Sequence, residues 1–242
     1  MTRIIAHRGS SKLFPENSLS AFRYATDCGA DALEVDLRCS RDGVIYCFHD
    51  YHLSRMTGFS GYLSRTDSKT IDKLHLDSRQ HLLRFDRFLH EFVGRIEIVL
   101  DIKSAGIESD LVRSLGRHAT DPAIIYSSFN AKIVSKIKTL VPRSHTALIV
   151  GPIRNVKMKL DFSANLIERM QSLRCSVAHL SRLLAKPGVV KRLNDAGFAA
   201  AVWTVDNELT ARRLIDIGVD GIITNLPEKM THLAKKKHSP VA

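Results

Sequence analysis

Short apolar runs alternate with amphipathic helical stretches along nearly all of the 242 residues, and no other feature narrows the fold so far. Ile4-Ile5-Ala6, Val44-Ile45-Tyr46-Cys47-Phe48 and Ile98-Val99-Leu100 have the length and character of buried strands. Between such runs, apolar residues recur at three- and four-residue spacing, as in Ile107, Leu111 and Leu115, or Ile133, Val134, Ile137 and Leu140. The pattern predicts strands over 3–7, 32–37, 44–49, 96–102, 123–128, 145–150, 175–180, 199–205 and 220–224. It predicts a first helix capped by Asn17, with Leu19, Phe22 and Ala25 on its apolar face and its end at Gly29. Further helices are expected over 107–118, 130–140, 163–173, 187–196, 207–217 and 228–237, the last closing on the basic run Lys235-Lys236-Lys237. That run reads as a solvated tail, since no aromatic residues interleave it.

Strands alternating with helices imply a parallel sheet, either open and doubly wound or closed into a TIM (β/α)8 barrel. The open form usually carries a glycine-rich loop after its first strand, but His7-Arg8-Gly9 stands there instead. Polar residues also follow many different strands: Asp101 and Lys103, Ser128, Trp203-Thr204, Thr224-Asn225. A closed ring brings all its strand ends to one mouth, whereas an open sheet spreads them along an edge. The barrel is therefore expected, in a chain near the usual barrel length of about 250 residues. Nine strands exceed its need by one. Arg41-Asp42-Gly43 is too short for a parallel crossover, so strands two and three should form a hairpin. The chain reads as one domain over 1–242, with an insertion at about 51–95 that could cap the catalytic face.

Lys and Arg outnumber Asp and Glu by 36 to 25, a net charge of +11 that favours anionic partners. The four cysteines, at 28, 39, 47 and 175, lack metal-type spacing and read as reduced, mostly buried thiols. With no signal peptide and no apolar stretch of membrane-spanning length, a cytoplasmic location is expected.

The chemistry gathers at strand ends. Glu34 and Asp36 are two apart on one strand and share a face. Two carboxylates held together repel unless a cation joins them, and Asp101 at the end of another strand supplies a third. Ligation by oxygen alone suits Mg²⁺ or Ca²⁺, with Mn²⁺ as a further option. Arg8 and Lys103 could hold phosphate oxygens, the arginine through a planar fork and the lysine as a point charge. His7 and His49 are the natural acid and base, since histidine titrates near neutrality. Trp203, the only tryptophan, either walls the pocket or packs in the core. His179 could line the mouth, although a core or rim position suits it better.

These residues in this order resemble the glycerophosphodiester phosphodiesterase family. Ala6-His7-Arg8-Gly9, Pro15-Glu16-Asn17 and Ala21-Phe22 are similar to its opening signature. Gly29-Ala30-Asp31 through Glu34-Val35-Asp36, then Asp42-Gly43 and His49-Asp50, continue it. Ser128-Phe129, Trp203-Thr204-Val205 and Gly218 through Pro227 complete it. The resemblance implies a TIM barrel that hydrolyses glycerophosphodiesters to sn-glycerol 3-phosphate and an alcohol. It implies His7 and His49 as acid and base, Glu34, Asp36 and Asp101 around one divalent ion, and Arg8 and Lys103 on the phosphate. Two positions depart from the family pattern. Asp101 replaces the usual glutamate and is shorter by about 1.5 Å, so binding through water or a different ion is one expectation. Asn225 stands where an aspartate is commoner, with an effect expected on the rim.

Two other functions fit the charge and the motifs. A phospholipase-like enzyme acting on lipid headgroups would need an apolar rim, for which the insertion offers Phe59, Tyr62 and Leu63. A non-catalytic phosphate-ligand or nucleic-acid binder fits the +11 charge, but two retained histidines argue against it, and no nucleic acid partner is expected.

Overall fold

Eight parallel strands close on themselves in the computed structural model, which describes residues 1–77, 80–151 and 162–235. They are β1 (Arg3–His7), β2 (Ala32–Cys39), β4 (Glu97–Ile102), β5 (Ile124–Ser128), β6 (His145–Val150), β7 (Val177–Ser181), β8 (Ala199–Trp203) and β9 (Gly221–Thr224). Closure comes from β1, which pairs with β9 on one side and with β2 on the other. The ninth strand, β3 (Ile45–Cys47), pairs antiparallel with β2 and sets Cys39 opposite Ile45, so the expected hairpin forms. Its turn places Gly43 at φ +87, a left-handed backbone that costs glycine little.

Helices α1 (Leu19–Asp27), α4 (Phe85–Phe92), α5 (Glu108–Leu115) and α6 (Ala131–Leu140) cover one side of the ring, where Phe22, Phe88, Leu111 and Ile137 join Leu33, Leu100 and Tyr126 in one apolar cluster. On the other side α7 (Phe162–Leu173), α8 (Pro187–Asp195), α9 (Glu208–Asp216) and α10 (Pro227–Lys235) pack on β6 to β9. The barrel's inside is a third cluster. Ile5, Ala32, Val99, Ile125, Ala147, Ala201 and Ile223 come from seven different strands, and Val177 adds the eighth. They plug the lower barrel and raise the floor on which the polar strand ends stand. The tail residues Lys236 and Lys237, with the end of the expected last helix, lie outside the described residues.

Two details differ from the sequence reading. Ser18 caps α1, its hydroxyl accepting from Ala21 N at 3.2 Å, and the buried Asn17 turns inward to Asp36. The stretch between β3 and β4 is also less polar in space than in sequence. It contains α2 (Ser54–Thr57), a 3-10 turn at Leu63–Arg65 and α3 (Ser68–Ile71). Tyr46, Phe48, Leu53, Leu63, Ile71 and Leu82 form a small core beneath them, with Phe59 packed against it. Of the three residues considered for an apolar rim, Leu63 is buried, Phe59 partly so, and Tyr62 alone is exposed. All four cysteines are free, two buried and two half-buried.

Candidate active site

Just past β1 the backbone is bent to present side chains at the barrel mouth. Arg8 has φ +59, a left-handed conformation that an L residue adopts only when its surroundings hold it there. Those surroundings are identifiable. Arg8 N donates to both the carbonyl and the carboxylate of Glu34, at 2.9 and 3.0 Å. Gly9 follows at φ +80, so close to α1 that a Cβ would sit 2.5 Å from the Ala21 carbonyl carbon. Arg8 Nη1 then donates to Glu16 Oε1 at 2.9 Å, and its Nε lies 2.9 Å from Asp36 Oδ2.

Glu34, Asp36 and Asp101 meet in the mouth, with one oxygen from each lying within 4.8 Å of the others. The register explains why the shorter Asp101 still arrives: on adjacent parallel strands it is the direct partner of Asp36. Lys103 donates to Asp101 Oδ2, and its Nζ is 3.1 Å from Asp36 Oδ1. Asn17 braces Asp36 from behind, donating to Oδ2 at 2.8 Å and accepting from Asp36 N at 3.1 Å.

Among the described residues, the three buried carboxylates face two cations, Arg8 and Lys103. Burial and the neighbouring Asp36 push Glu34 up to about 8, and burial pushes Asp101 up to about 7. Burial opposes the Asp36 charge too, but Lys103 and Arg8 outweigh it and hold that carboxyl below the usual range. Asp101 Oδ1 is buried without a hydrogen bond, and Asp36 Oδ1 has only the Lys103 ammonium beside it, at 3.1 Å. An unpartnered carboxylate oxygen beside acids that resist ionisation marks a site short of positive charge. The donor set fits a hard divalent cation.

Both histidines flank this cluster with Nδ1 already engaged. His7 Nδ1 is 2.7 Å from Asn225 Oδ1. Asn225 directs its Nδ2 to Asp206 Oδ2 at 2.7 Å, which fixes the amide so that Oδ1 faces His7 as an acceptor. His7 must therefore carry its proton on Nδ1 and leave Nε2 bare. Asn225 thus touches His7 itself, deeper than the expected rim position. His49 Nδ1 is 2.7 Å from Asp50 Oδ1, while Arg38 Nε donates to the His49 carbonyl at 2.6 Å. Burial lowers the pKa of both rings, assisted by the Arg8 charge.

The mouth is divided. The strands β1, β2 and β4 supply its charged half, and the other half is largely neutral. A cavity of about 130 Å³ spans both halves, from His7, Arg8, Glu34, His49, Asp101 and Lys103 across to Ser127, Phe129, Ile149, His179, Trp203 and Ile223. Trp203 meets Phe129 edge to face with ring centres 5.6 Å apart and donates its Nε1 to the His179 carbonyl. It is a pocket wall. His179 is buried in the barrel interior, and burial lowers its pKa to about 4.

The structure thus gathers His7, Arg8, Glu34, Asp36, His49, Asp101, Lys103 and Trp203 around one opening. Six supporting residues escaped the sequence reading: Glu16, Asn17, Arg38, Asp50, Arg55 and Asp206. Glu16, Asn17 and Asp50 lie within the motifs, but their spacing foretells none of their contacts. Arg55 has no signal in the sequence beyond its nearness to His49.

This combination defines a barrel with an acidic, histidine-flanked mouth, and its likeness to known proteins narrows the class to one family. The family model for the glycerophosphoryl diester phosphodiesterase family matches residues 7–229, and the chain belongs to that family. It is 28% identical over 254 residues to a glycerophosphodiester phosphodiesterase of Caldanaerobacter subterraneus, covering 97% of this chain and 98% of the relative. It is 30% identical over 240 residues to YhdW of Bacillus subtilis, a putative glycerophosphodiester phosphodiesterase, covering 93% and 95%. Among solved structures, an Oleispira antarctica phosphodiesterase in complex with the product sn-glycerol-3-phosphate superposes with a TM-score of 0.86 at 25% identity, covering 98% of both chains. No helix among the described residues is long and apolar enough to cross a membrane.

Proposed function

We propose that this chain hydrolyses glycerophosphodiesters to sn-glycerol 3-phosphate and an alcohol, using one divalent cation held by Glu34, Asp36 and Asp101. The observation that carries the reading is the trio of buried acids flanked by two histidines, each with Nδ1 committed to a partner and Nε2 left for chemistry. The ion, when bound, supplies positive charge against the phosphoryl oxygens. Arg8 and Lys103 then complete the phosphate cradle from opposite sides of Asp36. One imidazole takes the proton of the substrate's own glycerol hydroxyl as its oxygen bonds phosphorus, while the other delivers a proton to the alkoxide whose bond to phosphorus breaks. Water then opens the cyclic phosphate to glycerol 3-phosphate. Trp203 and Phe129 wall the neutral half, where the organic part of the diester would lie. Mg²⁺, Ca²⁺ and Mn²⁺ are the ions to test.

Purified protein supplied with one of these ions should release glycerol 3-phosphate from glycerophosphocholine or glycerophosphoethanolamine. His7→Ala and His49→Ala should each abolish release while the protein stays folded. A wild-type protein that leaves a panel of such diesters intact contradicts the reading.

A further inference from the structure

The short helix α2 carries one residue, Arg55, whose guanidinium joins two otherwise separate parts of the mouth. Its Nε donates to Asp50 Oδ2 at 2.5 Å. Its Nη2 and Nη1 donate to the two oxygens of Glu16 at 2.6 and 3.2 Å. Each of those carboxylates uses an oxygen on a site residue: Asp50 Oδ1 holds His49 Nδ1 at 2.7 Å, and Glu16 Oε1 accepts from Arg8 Nη1 at 2.9 Å. The result is a continuous chain, His49–Asp50–Arg55–Glu16–Arg8, running from the loop after β3 through α2 to the loop after β1.

We propose that Arg55 is a positioning residue, fixing the His49 ring through Asp50 and the Arg8 fork through Glu16. The inference rests on the roles given to His49 and Arg8 above. An exposed ion pair by itself would carry little weight, and the Arg55 side chain is 50% accessible. Three features separate it from such a pair. The contact to Glu16 is bidentate, and a planar fork loses little freedom for each bond it makes. The backbone under Arg55 is pinned: Leu53 is fully buried, its N–H donates to Gly61 O at 2.8 Å, and Met56 packs on the small core beneath. Among the described residues, moreover, no Lys or Arg other than Arg55 pairs with Asp50. Arg38, stacked over the Tyr51 ring, meets His49 at its carbonyl, so it fixes that residue's backbone and leaves ring orientation to Asp50. The small core of the segment between β3 and β4 thereby serves as the mount for Arg55.

The test separates the two ends of the chain by kinetics. Asp50→Asn should lower kcat with KM nearly constant, and Glu16→Gln should raise KM with kcat nearly constant. Arg55→Gln should do both, costing about 10- to 100-fold in kcat/KM, the range typical of partners that orient a reacting group. Arg55→Lys should recover only part of this, because an ammonium lacks the planar fork that meets Glu16 through two nitrogens and Asp50 through a third. Combining Arg55→Gln with Asp50→Asn should lower kcat no further than Asp50→Asn alone. An Arg55→Gln variant with wild-type kcat and KM, or losses that multiply in the double variant, overturns the proposal. Nitrogen NMR of the His49 ring tests the same link without turnover. The Nδ1-protonated form should give one sharp state in the wild type and exchange broadening in Arg55→Gln. If the wild type cleaves no diester, the functional reading fails while this ring measurement still decides the positioning claim: an unchanged ring signal in Arg55→Gln defeats it.

Discussion

Asn225 shows how far one atom can set the chemistry of a site. Its oxygen accepts from His7 Nδ1, and its amide nitrogen is spoken for by Asp206, so His7 is held in one tautomer by a neutral partner. Asn225→Asp replaces that neutral oxygen with a charge. The His7 pKa, now lowered by burial and Arg8, should rise, because an opposite charge then stands within hydrogen-bond range. An NMR titration of the ring checks this, and an unmoved midpoint contradicts it. His179 gives a prediction about stability. Burial lowers its pKa to about 4, so the folded state binds fewer protons than the unfolded state between that value and the ordinary 6.5. Its contribution is complete above pH 6.5 and is lost as pH falls towards 4, amounting to about 3 kcal/mol in total. His179→Phe should flatten that part of the stability curve, read by urea unfolding at pH 7 and pH 4.5.

Elements divide by how local their determinants are. The strands and most helices were legible because each is a periodic pattern within about ten residues, and the hairpin because a three-residue turn cannot cross over; α4, inside the segment read as an insertion, was not foreseen. The strand-end acids and histidines were legible for the same reason, since each terminates an apolar run. The network behind them was not. Arg55 and Glu16 are 39 residues apart, and His7 and Asn225 are 218 apart, with no periodicity to link them. The cap at α1 misled because Asn17 and Ser18 are both good N-caps, and only the packing of Asp36 decides between them. The small core of the segment before β4 was not legible, because its apolar residues are spaced irregularly and meet only in three dimensions. A test belongs at this scale. Leu63 is buried in that small core, and Leu63→Ala should cost about 2–5 kcal/mol in urea unfolding and lower turnover as α2 loosens. Full stability in that variant contradicts an independent core there.

For the molecule as a whole, the barrel confines the unfavourable electrostatics to one place. Eight strands share an apolar plug, and the acids stand above it in a mouth that lacks enough positive charge. The raised Glu34 and Asp101 carboxyls make the ion-free protein lose stability as pH rises from the ordinary carboxylate range through about 8 and about 7, respectively. A divalent cation should reverse that loss. At a hundred times its Kd it should add about 2.7 kcal/mol, or about 5–10 °C in Tm for a chain of this size. The gain should be larger at pH 8 than at pH 6, and Asp36→Asn should diminish it. Thermal melts with and without Mg²⁺, Ca²⁺ or Mn²⁺ check both statements.

Whether the three acids hold a working ion is decided by phosphorus NMR of glycerophosphoethanolamine, incubated with protein stripped by chelator and then resupplied with one divalent cation. No turnover is expected before resupply, glycerol 3-phosphate is the expected phosphorus product after it, and Asp101→Ala should show neither recovery nor product. Equal turnover by the stripped protein, or full recovery in Asp101→Ala, would contradict a metal-dependent diesterase built on these acids.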